Sequence, residues 1–137
     1  MTRELVKPDA ALWVREQAIE RFPECEVDRS PPPGRLVDLE RPLLTFYSQD
    51  VYRQDLASWV EVIAYRVFAG SREFPEEAER YAALVEAWLW TLARPVAGCP
   101  VAAVIDSNGP NMVPDEHETA VLYGTVEMVI AGVFPQA

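Results

Sequence analysis

The pattern of apolar and polar positions predicts a helix followed by short strands in the first half of the chain. Apolar residues spaced three and four apart indicate a helix over residues 9–22, with Asp9 as its N-cap and Pro23 ending it. Alternation around Cys25 and Val27 predicts a short edge strand. Two short apolar runs follow at residues 36–39 and 43–47.

The second half has the stronger pattern. Residues 59–68 carry apolar side chains on both faces, which is typical of a central strand covered on each side. The odd separation of Glu61 and Arg66 places them on opposite faces of this strand. A helix is predicted over residues 75–92, then strands over 101–105 and 119–133. This half therefore has the order β, α, β, β.

Together the elements predict an α+β fold in the order α-β-β-β-α-β-β, with a mostly antiparallel mixed sheet packed against two helices. The 137 residues are enough for one core, and we expect a single domain over residues 1–137. The closing strand is longer than the usual five or six residues. We therefore expect part of it to extend past the core and to pair with or cover a neighbour.

The connecting segments are defined by proline, glycine and polar residues. Residues 48–57 are predicted to be irregular, and the stretch from Asp106 to Pro110 is predicted to be a turn. Three consecutive prolines at 31–33 indicate a stiff surface connection. Cys25 and Cys99 lie far apart in sequence, so we predict reduced thiols in the core or at its edge.

The net charge of the chain disfavours functions that require binding to nucleic acids or anionic membranes. There are 22 acidic and 12 basic residues, giving a net charge of -10, and such a surface repels nucleic acids and anionic membranes on average. The sequence has neither the apolar run of a membrane span nor the apolar segment of a secretion signal at its start. We expect the protein to be made and used in a cytoplasm.

The candidate chemical motifs are each incomplete. His117, among Asp115, Glu116 and Glu118, has no second histidine to complete a metal site. The glutamates at 73, 76, 77 and 79 resemble the acidic helix of magnesium-dependent nucleotide pyrophosphohydrolases, but the second acidic helix is missing, and they suit the positive end of a helix dipole. The sequence thus predicts a protein that is not an enzyme, with no catalytic, cofactor-binding or metal residues and no cofactor.

The whole chain resembles the tail terminator proteins of long-tailed, non-contractile bacteriophages, which are siphophage head-tail joining or tail completion proteins. The resemblance lies in the opening helix at 9–22, the strands to residue 47, "WVEVIAYRVF", "PEEAERYAALVEAWLWTL" and "TAVLYGTVEMVIAG". It covers roughly residues 9–133. It rests on the order of elements, so no individual site residue is transferred.

This resemblance implies a structural virion protein. Such a protein caps the tail tube as a hexameric ring, ends polymerisation of the major tail tube protein and joins the tail to the head-tail connector or stopper protein. DNA passes through the lumen without specific binding, which suits the net charge of -10. The expected location is the tail and neck of the virion, after assembly in the cytoplasm of the bacterial host. The loops at 31–33 and 108–118 are hypothesised to reach neighbouring rings.

Three alternatives remain open from the sequence. Another neck protein of similar size, such as a head completion or stopper protein, is the nearest. A magnesium-dependent nucleotide pyrophosphohydrolase would use the glutamates of the second helix. A small-molecule-binding α+β dimer would place its pocket between the second helix and the sheet.

Overall fold

Two helices and five strands make up the fold in the computed structural model, which describes residues 4–30, 39–114 and 119–135. In chain order these elements are α1 (Ala10–Arg21), β1 (Glu26–Asp28), β2 (Leu43–Arg53), β3 (Ser58–Ala69), α2 (Glu76–Leu89), β4 (Val101–Met112) and β5 (Ala120–Ala131). The predicted α+β class and the order α-β-β-β-α-β-β are confirmed. The prolines at 31–33, the apolar positions 36–38 and His117 lie outside the described residues.

The five strands form one mixed sheet in the order β1-β2-β3-β5-β4. β1 runs parallel to β2, and the other three pairings are antiparallel. β3 lies at the centre and pairs along its length with both β2 and β5. The long apolar segment predicted to be the central strand therefore occupies that position.

Both helices pack on the same face of the sheet. The Oδ1 atom of Asp9 accepts the N–H of Leu12 at 3.1 Å and caps α1 as the sequence predicts. Phe22 at the end of α1, Phe46 of β2 and Trp88 of α2 meet edge to face, with centroids of the first and third rings 5.5 Å apart. These aromatic contacts join the two helices and the sheet into one core.

β3 buries side chains on both of its faces, which confirms its two-sided apolar pattern. Ile63, Tyr65 and Val67 face the helices and are fully buried. On the opposite face Phe68 forms a smaller buried cluster with Leu43 and Val121, against which Leu39 and Val113 pack. Below, this second side of the sheet is called the open face because neither helix covers it.

The prediction that residues 48–57 are irregular is confirmed for residues 54–57 and wrong for residues 48–53, which belong to β2. β2 continues to Arg53, and Asp50 to Arg53 pair with Val62 to Trp59 in a hairpin. A register shift between Ser48 and Asp50 absorbs the break in the alternating pattern. Main-chain hydrogen bonds to β3 hold this segment in the sheet, so it needs no buried side chains of its own.

The predicted strand 101–105 is confirmed but too short, and the predicted turn from Asp106 to Pro110 is wrong, because β4 runs without interruption from Val101 to Met112. Three register shifts interrupt its pairing with β5. An edge strand tolerates such shifts and also a proline, which has no N–H to donate. Gly109 has φ +92°, and a Cβ there would lie 2.8 Å from the carbonyl oxygen of Tyr123, so glycine is required.

β5 has the two faces that the sequence predicts. Leu122, Val126 and Met128 point to the helix side and are buried, while Tyr123 and Glu127 lie on the open face. The prediction that this strand extends past the core is wrong. β3 and β4 are as long as β5 and pair with it, so its length is used inside the sheet.

Candidate interaction surface

Among the described residues, the sequence motifs with possible chemistry do not come together. Glu73, Glu76, Glu77 and Glu79 are exposed around the start of α2. Within residues 4–30, 39–114 and 119–135, three or more metal-binding side chains nowhere form a group that could hold an ion. The sheet-facing side of α2 is packed with fully buried Ala78, Ala82, Val85 and Leu89. Core side chains thus fill the space considered for a ligand pocket.

The two cysteines are free thiols, with Cys25 buried and Cys99 partly buried. Burial and the neighbouring carboxylate of Glu24 raise the pKa of Cys25 to about 11. The thiolate is the reactive form of cysteine, and here it is suppressed near neutral pH. Cys25 is therefore a core residue.

A buried ion pair fastens the N-terminal segment to the sheet. Glu61 on the helix side of β3 is 1% exposed, and its Oε1 lies 2.6 Å from the Nζ of Lys7. Lys7 also donates to the carbonyl of Pro8, while Val6 pairs with Val133 beyond the end of β5. The pair is enclosed by the fold and anchors residues next to α1, so we assign it a structural role.

One side of the sheet ends in an exposed overhang of the β2–β3 hairpin. β1 covers the outer side of β2 only from Leu43 to Thr45. Beyond that point every residue from Ser48 to Arg53 is exposed, including Val51 at 42% and Tyr52 at 55%. Leu56 at the tip is 86% exposed. This overhang, residues 48–57, is called the β2 margin.

The other side of the sheet ends at β4, here called the β4 margin. β4 pairs with β5 alone in the described part of the chain. Ile105 is 48% exposed and Met112 40% exposed, and Asp106 lies opposite Glu127 on the open face. The two margins lie on opposite sides of the molecule and present different residues.

A cleft on the open face surrounds Arg66 and has a volume of about 290 Å³. Its walls are formed by Arg29, Ser30, Thr45, Tyr47 and Arg66. The Arg66 guanidinium lies 5.9 Å from the ring centroid of Tyr47 and 5.3 Å from that of Tyr123. The hydroxyl of Tyr123 donates in turn to the side-chain oxygen of Gln49.

The polar atoms of this cleft are incompletely paired. Thr45 is 1% exposed, and its Oγ1 has no hydrogen-bond partner among the described residues. The Nε of Arg66 is buried and likewise has no partner there. Buried polar groups in folded proteins nearly always have a partner, so each exception requires an explanation.

Known proteins offer no match to this chain, either among family models or among curated sequences. Neither helix in the described residues is long and apolar enough to cross a membrane. The assignment of a function therefore depends on the surface features described above.

Sequence reasoning anticipated part of this surface. Parity along β3 placed Arg66 on the face away from Glu61, which is confirmed. The cleft itself was missed, because Thr45 and Tyr47 come from another strand and Arg29 follows β1. A usable signal was present, since Arg66 is a charged residue inside the most apolar strand of the chain.

Proposed function

We propose that this protein is a structural component of a bacteriophage tail, a terminator that caps the tail tube as a hexameric ring and joins the tail to the head connector. It acts by surface complementarity and carries out no reaction. Its partners in this role are further copies of itself, the major tail tube protein and the connector or stopper protein.

The observation that carries the proposal is the pair of unlike margins on opposite sides of one sheet. A contact between two different patches of a subunit leaves one patch of each kind free on the pair, so further copies add in the same direction. Such heterologous contacts close into rings when the rotation per subunit allows it. The β2 margin and the β4 margin are suited to this arrangement.

Two further features support the same proposal. The overhang of the β2 margin exposes Val51, Tyr52 and Leu56, and these apolar side chains gain stability when a neighbour buries them. The net charge of -10 disfavours capture of DNA phosphates, which depends on lysine and arginine. A ring through which DNA passes freely benefits from this charge.

The decisive experiment combines solution mass with a tube-capping assay. Native mass spectrometry of the purified protein is expected to show hexamers. Added to polymerising tail tube protein, the protein is expected to give tubes that stop growing, with a ring at one end in electron micrographs.

The same experiment separates the alternatives. A stopper protein would bind the connector and leave tube growth unchanged. A monomer or dimer that has no effect on tube length would refute the terminator proposal.

A further inference from the structure

We propose that the Arg66 cleft is a receptor for a carboxylate side chain of a second copy of this chain, supplied by Asp106 or Glu127. The inference deepens the proposed function and rests on it, since it specifies the contact that holds neighbouring subunits of the ring together. The residues that supply the carboxylate are called the donor residues below. The cleft and the donor residues lie on the same open face, the cleft toward the β2 side and the donor residues at the β4 margin.

The receptor offers hydrogen-bond donors that the described residues of its own chain leave unused. The Nε of Arg66 and the Oγ1 of Thr45 are buried and have no partner in the described part of the chain. A buried donor without a partner is costly, by about 1–3 kcal/mol for a neutral group and more for a charged one. An acceptor arriving from outside relieves this cost.

A carboxylate is the group that fits these donors. A guanidinium presents its N–H groups in a planar fork that a carboxylate accepts in bidentate geometry. Tyr47 and Tyr123 contact the guanidinium of Arg66 through their rings, and rings do not use its N–H donors as a carboxylate would. Arg29 at the rim adds a second positive charge, and the hydroxyls of Ser30 and Thr45 add donors.

Among the described residues, no carboxylate forms an ion pair with Arg66. The ion pairs within the described residues are Lys7 with Glu61 and Arg41 with Glu26. The carboxylate of Asp28, next to Arg29, accepts the backbone N–H of Arg29 at 2.7 Å. Arg66 thus remains without a counterion there, in a chain with 22 acidic residues.

The donor residues carry negative charges that have no positive partner among the described residues. Asp106 and Glu127 lie directly opposite each other in the antiparallel register of β4 and β5. Like charges directly opposite on neighbouring strands are destabilising. Neither carboxylate has an ion-pair partner among the described residues, and Asp106 accepts only the N–H of Ser107, at 2.8 Å. A guanidinium from another subunit would stabilise both.

Receptor and donor are two different sites, so successive copies can be joined through them. In the proposed ring the donor half of one copy meets the receptor half of the next, and each copy gives one carboxylate contact and receives one. This is the heterologous arrangement that a ring requires. The three register shifts of β4 disfavour continuation of the sheet across the contact, so side chains carry it.

The test measures the concentration at which rings dissociate, by sedimentation velocity and native mass spectrometry. Arg66→Gln removes the charge of the receptor, and the double variant Asp106→Asn with Glu127→Gln removes that of the donor. Either change is expected to raise the dissociation concentration roughly tenfold or more. Arg80→Gln is the matched control, since Arg80 also stacks on a tyrosine ring, that of Tyr81 at 4.5 Å, but on α2.

The donor variant gives a second, opposite readout. Neutralising Asp106 and Glu127 removes a like-charge repulsion, so the melting temperature of the dissociated subunit is expected to stay equal or rise while the rings weaken. A purely structural role would move both in the same direction. The charge exchange Arg66→Glu with Glu127→Arg is expected to restore rings.

The outcomes separate this inference from the proposed function. Wild-type rings that stop tube growth, combined with unchanged dissociation in both the receptor and donor variants, would overturn the carboxylate contact and leave the function standing. A wild-type chain that neither forms rings nor stops tube growth would overturn both.

Discussion

At the scale of single residues, Glu61 is a charged side chain buried in the central strand. Its carboxylate is 1% exposed and depends on Lys7, a residue 54 positions away in the sequence. Breaking a buried pair from one side leaves a charge with neither water nor counterion. The stability of the N-terminal segment and of the central strand are therefore linked.

Lys7→Met is expected to destabilise the protein by about 3 kcal/mol, because Glu61 then stays buried without its counterion. Urea unfolding followed by circular dichroism measures the change. The double variant Lys7→Met with Glu61→Leu is the control, and it is expected to recover most of the loss because no unpaired charge remains. A single variant as stable as the wild type would contradict the structural role of the pair.

Cys25 provides a prediction about pH. Its pKa is raised from 9.0 to about 11 by burial and by Glu24, so the folded state holds the proton that the unfolded state releases. The unfolded state then binds fewer protons between those two values, and stability is expected to fall as the pH rises from about 9 to about 11. Cys25→Ala is expected to flatten this decline, as measured by urea unfolding at each pH.

The positions and contacts of individual residues were only partly predictable from the sequence. The alternation of β3 was enough to separate Glu61 from Arg66, because side-chain direction follows from parity. The residues that lie next to Glu61 and Arg66 were not predictable, since Lys7 and Thr45 are brought there only by the tertiary structure. The sequence carries no local signal for such a pairing.

At the scale of elements, the two helices followed from local rules more closely than the strands did. The N-cap at Asp9 and the apolar spacing of α2 are contained in short windows of sequence, and both are confirmed. β2 and β4 were predicted too short, because their outer halves are polar and are held by main-chain pairing with β3 and β5. The length of such strands is determined by pairing with strands that are distant in sequence.

The glutamates at the start of α2 give a prediction at this scale. Replacing Glu76, Glu77 and Glu79 by glutamine is expected to destabilise the protein by about 1 kcal/mol in total at low salt, because the favourable interaction with the helix dipole is lost. Thermal unfolding at low and high ionic strength measures the effect, which salt should reduce. Millimolar Mg²⁺ is expected to leave the melting temperature of the wild type unchanged, and stabilisation by the ion would instead favour the hydrolase alternative.

At the scale of the whole molecule, the sheet is covered unevenly. The helix side is closed by a continuous core, whereas the β2 margin exposes apolar side chains on a hairpin that the helices do not cover. The fold class was predictable because it depends on the order of elements. The two margins were not predictable from the sequence, because they depend on where each strand ends relative to the strands beside it.

Tyr52→Glu tests the role of the β2 margin. Tyr52 is 55% exposed and lies opposite Val60, so a charge there is expected to change the stability of the subunit by less than about 1 kcal/mol. The proposed ring is expected to weaken roughly tenfold, because a carboxylate is depleted in the buried centre of an interface. Leu84→Glu, at a position 37% exposed on α2, is the control. Equal effects of the two variants on ring dissociation would exclude the β2 margin from the contact.

The broken register of β4 affects how readily the edge strands of two identical chains pair with each other. A straight outer strand offers an even row of amide donors and acceptors, and such rows draw identical chains into insoluble fibres. Shifts at three points, and a proline without an N–H, leave this row uneven. The uneven edge of β4 therefore disfavours fibre formation, and under the proposed function it keeps free subunits available for assembly onto a tube.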